Sequence, residues 1–544
     1  MSFKSGDGGL YAELLQNRAF QQVSPSNQTA ALNAWSAVNG AELKVIADSE
    51  PVSDALPNSL QVNIPSRAKG PVGFSNSGIK VDQAWTYKAS LYLKFPAKSS
   101  FSGKLTLALR TVGGNAVLAE ASTTIKSTQT TWKQIQLDLK PTKSSADTNN
   151  IFTVTLDGHA ASGQTLNFAL MSLFPPTYKN RPNGMRIDIA ETLAELNPGI
   201  FRFPGGNNLF IEDIGAEPIM GVWDGYALGG YTVAEGDLKP YIQQAIDQIN
   251  FVVGDPRKSA PAALRASLGR PQPFRLNYVE IGNEDFYNSS DTFRDFVGNL
   301  SAAFPNLTFL ATTFVGNPIL TPKPQAYDVH DYNTPRWFAN NSFRFDAFPR
   351  DGTIYFEGEY AAISTNTTNL YGTPATGRFA FPAMSGTTGE AAYMTGLERN
   401  SDIVFASSYA PLLNHINSTH WTPDLIAFDA ARVIKSTSYH AQKLFSLNKG
   451  DQYLPSTIPI QNGTLYWSVV VNTVETPASL AFQLPFKNVA SFGTLQILQG
   501  GQNASNTPAQ PDAVEPVTTT IATGKTINYT APGISVSVLK VNAH

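Results

Sequence analysis

Short alternating apolar runs at both ends of the chain, and a middle in which strand-like and helix-like runs take turns, predict an α/β plus all-β protein. The expected architecture is a (β/α)8-type barrel lying in sequence between two β-sandwiches. A third observation says where the barrel does its chemistry. Two of its strand-like runs, Leu276 to Gly282 and Thr353 to Glu357, lead into glutamates, in YVEIGNED around Glu284 and in YFEGEYA around Glu359.

The first stretch, Gly9 to Gln21, spaces Leu10, Leu14, Leu15 and Phe20 as a short helix or turn would. From about Ala31 to Leu173 the runs LQVNI, YKASLYLKF, GKLTLALRTV, KQIQLDL, FTVTLDG and LNFALMSLF alternate and are broken by Gly, Ser, Pro and Asn, the pattern of a β-sandwich. MRIDIAETLAELNPG then reads as an amphipathic helix carrying Ile187, Ile189, Leu193 and Leu196, and closed by Pro198 and Gly199. Strand-like GIFRFPGG, EPIMGVW, RLNYVEIGN, LTFLATTF, YDVHDY, IYFEGEY and IVFASSY follow, with helical runs such as PYIQQAIDQINFVV, TFRDFVGNLSAAF and AAYMTGLERN among them. That order predicts parallel strands closing into a barrel. After the Ala427 to Leu447 segment, TLYWSVVV, LAFQL, TLQILQG and ISVSVLKV return to sandwich spacing.

At 544 residues the chain is long enough for about three or four domains. Only 15% of residues are charged and the formal net charge is -3, so no electrostatic footprint for nucleic acid or an anionic membrane exists. No apolar run is long enough to span a bilayer. A neutral partner is expected. Cysteine is absent, which excludes disulfides, zinc–thiolate clusters and a thiol nucleophile. Sequons at Asn27, Asn288, Asn299, Asn306, Asn340, Asn366, Asn417, Asn462, Asn503 and Asn528 predict a secreted glycoprotein. The start MSFKSGDGGLYAELLQ lacks the apolar core of a signal peptide, so the reading requires a signal already removed or an incomplete N-terminus.

Hydrolysis of a glycosidic bond needs two carboxyl groups facing each other across the anomeric carbon, one to protonate the leaving oxygen and one to attack or to activate water. Strands of one parallel barrel open onto a shared face and can supply both. Glu284 and Glu359 are therefore the candidate catalytic pair. Asn283 could hydrogen-bond a sugar hydroxyl or simply form a turn after Gly282. Glu280 lies an even number of positions before Glu284 and reads as a supporting carboxylate on the same face. His330 and Tyr332, two apart in YDVHDYNTPRW, point the same way and can orient a carboxylate and bind hydroxyls. A metal role is not expected, since no further ligand completes a recognisable spacing. In FRFPGGNN, Gly205 and Gly206 permit a sharp turn exposing Asn207 and Asn208, and neither phosphate-loop pattern is present. Arg202 can pair with a buried barrel carboxylate or pack with a charged tip. Trp223 can form a sugar platform or fill core.

These residues resemble the fungal α-L-arabinofuranosidases of glycoside hydrolase family 51. The matching segments are GDGGLYAELLQNRAFQ, FRFPGGNN, EPIMGVWDGYALGG, YVEIGNED, YDVHDYNTP, GEYA and TSYHAQKLFS, which run from end to end. The resemblance implies a TIM-barrel enzyme with a β-sandwich after the barrel and a carbohydrate-binding-like sandwich inserted near the N-terminus. Residues 1–25 are then an N-terminal part of the catalytic domain, 26–175 the inserted sandwich, 176–440 the barrel and 441–544 the C-terminal sandwich. It further implies Glu284 as general acid/base and Glu359 as nucleophile of a retaining exo-glycosidase. Asn207, Asn283, His330 and Tyr332 would line the terminal arabinofuranose subsite beside Trp223. The substrate would be an arabinose-containing polysaccharide or oligosaccharide, and no cofactor is needed. Other members of the same clan, such as endo-β-glycanases, and a non-catalytic carbohydrate-binding protein are the alternatives.

Two departures from the family accompany the match. MSFKS stands where a strand ending in an acidic residue is expected before GDGG, and between Asn208 and Pro218 only LFIEDIGAE remains of a crossover that usually needs about a dozen residues or more. The sequence therefore predicts seven barrel strands, and makes the geometry of the carboxylate pair rather than its presence the deciding question.

Overall fold

The computed structural model describes residues 11–113, 116–203, 207–286, 290–416, 418–419, 421–453, 456–457, 459–466 and 468–544. The GDGG motif, Leu10, Gly205, Gly206 and the sequons at Asn288 and Asn417 lie outside them. The described residues fall into two compact units. One draws on Met1–Thr192, His415–His420 and Phe428–Val433, and the other on Leu193–Asn414, Trp421–Ala427 and Ile434–His544.

The first unit is a sandwich of two five-stranded antiparallel sheets. One sheet orders its strands Trp35–Val38, Pro71–Ser77, Asn150–Asp157, Ser102–Thr111 and Val117–Lys126; the other orders Glu42–Ala47, Asn58–Asn63, Thr165–Phe174, Tyr87–Lys94 and Lys133–Leu139. Inward positions such as Val72, Phe74, Leu105, Leu107, Val154, Leu91 and Phe168 are buried and form one core, as alternation between two packed sheets requires. From Tyr11 to Gln21 the chain makes turns and no helix, the second of the two expected conformations.

The second unit is built on seven parallel strands: β1 (Ile200–Phe203), β2 (Glu217–Val222), β3 (Tyr278–Ile281), β4 (Thr308–Ala311), β5 (Ala326–Asn333), β6 (Ile354–Ala362) and β7 (Val404–Tyr409). They pair in sequence order, β1 to β7, into a nearly closed barrel whose end strands β1 and β7 are not hydrogen-bonded to each other among the described residues. All seven correspond to the runs picked out in the sequence. Helix α1 (Ile187–Glu195) crosses the sequence boundary between the two units, and the second unit also holds α2 (Asn208–Ile214), α3 (Lys239–Val253), α4 (Ala260–Ser267), α5 (Ser290–Ala303), α6 (Pro335–Asn340), α7 (Met384–Arg399) and α8 (Thr437–Asn448).

The shortened β1–β2 crossover still holds a helix. In α2, Phe210 and Ile211 are buried and Gly215 closes the helix in the left-handed conformation, its N–H bonded to the Ile211 and Glu212 carbonyls. The chain then enters β2 in parallel register, Ile200 opposite Glu217. Helices α4, α6 and α8 begin on side-chain caps: Ser259, Thr334 and Ser436 accept the backbone N–H of Ala262, Trp337 and Tyr439.

Inside the barrel, Ile219, Leu310, Ala326 and Phe356 form an apolar layer together with Ile200, Tyr278 and Phe405. Period-two alternation places the next inward side chains two residues on. Those are Arg202 after Ile200, Glu280 after Tyr278, Asp328 after Ala326 and Gly358 after Phe356. The barrel is thus greasy below and charged above, and the charged layer supports the C-terminal face. Beyond the barrel, strands Leu465–Tyr466, Val470–Asn472, Ser535–Lys540, Phe492–Gln499 and Val517–Ala522 form one sheet, and Ala478–Gln483 with Thr526–Ala531 a second. Val470, Leu495, Tyr529 and Ala531 pack in that C-terminal sandwich.

Candidate active site

Glu359 reaches the inner face of the barrel through an irregularity in β6. Pairing with β5 jumps from Val329 opposite Glu357 to His330 opposite Glu359, so Gly358 is an extra residue and the chain bulges there. In an unbroken strand Glu357 and Glu359 would share a face. Here they diverge. Glu357 is fully buried and accepts the Tyr393 hydroxyl of α7 at 3.0 Å, whereas Glu359 turns into the barrel. Glycine suits position 358, because a Cβ there would meet the Asp328 carboxylate unless that group shifted.

Arg202 is the hub of the charged layer. Its guanidinium grips Glu280 with two bonds of 2.7 and 2.5 Å, donates to Glu359 Oε1 at 2.5 Å and to Asn283 Oδ1 at 2.7 Å, and lies 3.3 Å from Asp328. Tyr332 donates its hydroxyl to Glu359 Oε2 at 2.5 Å. His330 is wedged between carboxylates, Nε2 at 2.9 Å from Asp328 Oδ2 and Nδ1 at 3.0 Å from Glu284 Oε1, with Glu359 Oε2 at 3.6 Å. Its side chain is only 4% exposed.

These contacts set the charges. Burial alone would raise Glu359, but the positive charges of His330 and Arg202 and the Tyr332 hydroxyl outweigh it and hold the carboxyl below its ordinary range. Burial would likewise neutralise His330; Asp328 and Glu359 reverse that and push the imidazole well above its usual value, so it is an imidazolium donating from both nitrogens. Asp328 stays ionised despite its burial because His330 and Arg202 flank it. For Glu280 burial wins over Arg202 and lifts the carboxyl to about 7. Tyr332 is held firmly protonated by burial and by the neighbouring Glu359 charge.

Glu284 sits just past the end of β3 in a turn, with a left-handed φ of 54° that a non-glycine residue adopts only under local constraint. One oxygen of Glu284 and one of Glu359 lie within 4.8 Å of each other, with a His330 nitrogen inside the same radius. Two carboxyls at that separation, one ionised and one on a turn above an open face, can together attack and protonate across a small bound molecule. The clusters Glu284–His330–Glu359 and Glu280–Asp328–His330 also have the composition of a cation site. Arg202 and the imidazolium already supply the positive charge there.

The structure thus brings Glu284, Glu359, His330, Tyr332 and Asn283 into one network and resolves Arg202 as an ion-paired residue. Glu280 joins the same network from the strand itself, although Glu284 lies beyond the strand, where alternation no longer applies. Asn207 and Trp223 make no hydrogen bond or ion pair with either carboxylate among the described residues. Asn207 precedes α2 as its N-cap residue. Trp223 is 47% exposed, donates to the Tyr226 carbonyl at 2.6 Å and meets Tyr241 edge-on.

Sequence reasoning missed Asp328, although it stands two residues before His330 and period two would have aligned it. It also missed an aromatic wall contributed by loops. Trp421 packs edge-on against Tyr332 at 5.4 Å, and the Arg378 guanidinium lies over Trp421 at 4.4 Å and over Tyr371 at 5.5 Å. No periodicity marks such loop residues.

Comparison with known proteins places the chain in a family. Residues 208–350 match the family described as α-L-arabinofuranosidase 1 domain, and residues 358–535 the α-L-arabinofuranosidase C-terminal domain. The chain is 34% identical to a probable α-L-arabinofuranosidase A of Aspergillus flavus, covering 98% of this chain and 91% of the relative. It is 33% identical to α-L-arabinofuranosidase A of Aspergillus niger, covering 99% and 92%. Among solved structures, an arabinose-bound α-L-arabinofuranosidase named MgGH51 superposes with a TM-score of 0.97 at 57% identity, covering 99% of this chain and 96% of that one. An α-L-arabinofuranosidase of Thermotoga maritima shares the fold at 15% identity and a TM-score of 0.53, over 66% and 90% of the two chains.

Proposed function

Because the chain belongs to the α-L-arabinofuranosidases of glycoside hydrolase family 51, we propose that this hydrolase removes terminal non-reducing α-L-arabinofuranosyl residues from arabinan- or arabinoxylan-type glycans by a retaining double displacement. Glu359 is the nucleophile and Glu284 the general acid/base. The observation that carries this reading is the approach of their carboxyl oxygens to within 4.8 Å. That approach supports retention, at carboxyl separations of about 5–5.5 Å, over inversion, at about 6.5–9.5 Å.

In the first step the Glu359 oxygen attacks the anomeric carbon while Glu284 gives its proton to the departing glycosidic oxygen. Arg202, His330 and Tyr332 keep Glu359 ionised and aimed. In the second step Glu284, now ionised, takes a proton from water, which attacks the same carbon and frees Glu359. Asn283, Asn207 and Trp223 bind the arabinose ring, and no cofactor takes part.

The enzyme acts outside the cell. Supporting this, the sequon asparagines Asn27, Asn299, Asn306, Asn462, Asn503 and Asn528 are exposed. Following the anomeric configuration of newly released arabinose by proton NMR tests the mechanism: α-arabinofuranose must appear first, and first appearance of the β anomer refutes it. Release of monomeric arabinose from arabinoxylan, with no cleavage of unsubstituted xylan, separates this activity from an endo-acting glycanase.

A further inference from the structure

Two buried carboxyl groups that the mechanism above does not use stand directly behind it. Asp285 follows Glu284 in the chain and is 4% exposed; Asp224 follows Trp223 and is 1% exposed. Asp224 is the charged neighbour that bears on Asp285, near enough for the two carboxyls to share a proton, which one of them must carry because two carboxylates have no donor. Burial and the Asp224 charge push Asp285 up to about 9, so the pair keeps a proton across the neutral range. Thr312 and the Asn283 backbone N–H also bear on the Asp285 carboxyl.

Asp285 is also the hinge pin of the turn that carries Glu284. The Asn283 N–H donates to Asp285 Oδ1 at 3.4 Å. Asp285's own N–H donates to the Thr312 carbonyl at 3.2 Å, and the Phe286 N–H to the Glu284 carbonyl at 2.7 Å. The Thr312 hydroxyl donates to the Ile281 carbonyl at 3.1 Å. Gly282, at φ 83°, passes so close over the Asp285 carboxylate that a Cβ would collide with it. On the other side Asp224 accepts the Tyr226 N–H at 3.1 Å, fixing the loop after β2. A residue held left-handed at φ 54° needs such over-determination from its surroundings.

Resting on the assignment of Glu284 as acid/base, we propose that Asp224 and Asp285 form a hydrogen-bonded clasp joining the loops after β2 and β3, and that this clasp positions Glu284 against the leaving oxygen. Both are positioning residues. Neither touches substrate.

Leaving-group dependence tests the clasp, because a misplaced acid matters only where the leaving group needs a proton. Asp285→Ala should lower kcat/KM for methyl α-L-arabinofuranoside by about 100-fold and for the dinitrophenyl arabinoside by about 3-fold or less, as general-acid assistance is worth roughly 10²–10⁴ only to poor leaving groups. Asp285→Asn, whose amide can donate to Asp224, should restore the wild-type ratio between the two substrates. Asp224→Ala opens the clasp from the other loop and should reproduce the split, which covers the case in which Asp285→Ala does not fold. Glu284→Gln must show the split itself. If it does and the alanine variants lose both activities equally, the clasp is overturned alone; if Glu284→Gln shows no split, the acid/base assignment falls and the clasp's role with it.

Discussion

The two carboxylates that face each other over the barrel are held by opposite means. Glu359 stands on a strand and is fixed by charge: a guanidinium and a tyrosine hydroxyl each at 2.5 Å, with an imidazolium at 3.6 Å. Glu284 stands on a turn and receives a single side-chain bond, from His330; its position is set by the backbone, through a left-handed residue and bonds to Asp285 and Thr312. The division matches the work proposed for each. A nucleophile must stay ionised, which positive neighbours enforce, whereas an acid/base must change charge twice per turnover and is better placed by groups indifferent to its protonation. Among the described residues His330 touches both.

The comparison breaks most severely if Glu359 is removed. Glu359→Ala should reduce kcat by at least about 10⁴-fold, the scale of removing a covalent nucleophile, in a protein of unchanged circular dichroism. Next is the hub. Arg202→Met leaves Glu280, Asp328 and Glu359 without their shared cation, and should cost about 3–5 kcal/mol in urea unfolding, as breaking buried ion pairs does. No substitution of Asn283 or Asp285 should approach that loss.

Removing the Tyr332 hydroxyl sharpens the contrast on a finer scale. A hydrogen bond to a charged group is worth about 1.5–3 kcal/mol, so Tyr332→Phe should raise the Glu359 pKa and move the acid limb of kcat/KM to higher pH. The sign is fixed by linkage. Because Glu359 is depressed in the fold, its contribution is present above the unfolded carboxyl value and lost as pH falls through the folded one. His330 is raised, so its contribution is complete below the unfolded imidazole value and lost as pH rises through the folded one. The site is therefore tightest between those two limits, and a thermal-unfolding series across pH should show a plateau there with an acid-side fall that is smaller in Tyr332→Phe. Smallest is Gly358→Ala, where the Asp328 collision must be relieved by local shifts costing about 1–3 kcal/mol; it should lower kcat without altering the leaving-group ratio that the Asp285 variants change.

The seven barrel strands were legible because each is a short run rich in apolar and β-type residues closed by a turn signal. Arg202's pairing followed from a charged residue inside such a run. Three things escaped. The bulge at Gly358 is a property of register with β5, and single-strand periodicity would have set Glu357 beside Glu359. Helix α2 occupies a crossover whose length suggested no room for one, and it fits because Gly215 ends it sharply. The loop residues Tyr371, Arg378 and Trp421 assemble only through tertiary packing, without any local pattern. Asp285 was printed within the motif that drew attention to Glu284, yet burial was the fact needed to separate their roles.

The unbonded edge between β1 and β7 has a mechanical meaning. Among the described residues, β1 is held by a ladder on one side only, to β2. Arg202 projects from that strand and reaches across the lumen to Glu280 on β3, Asp328 on β5 and Glu359 on β6. The guanidinium works as a spoke that keeps the rim in round, and the same atoms that tune the nucleophile brace the seam. Loosening the seam would be felt first as a change in the charge of Glu359, long before the barrel itself came apart.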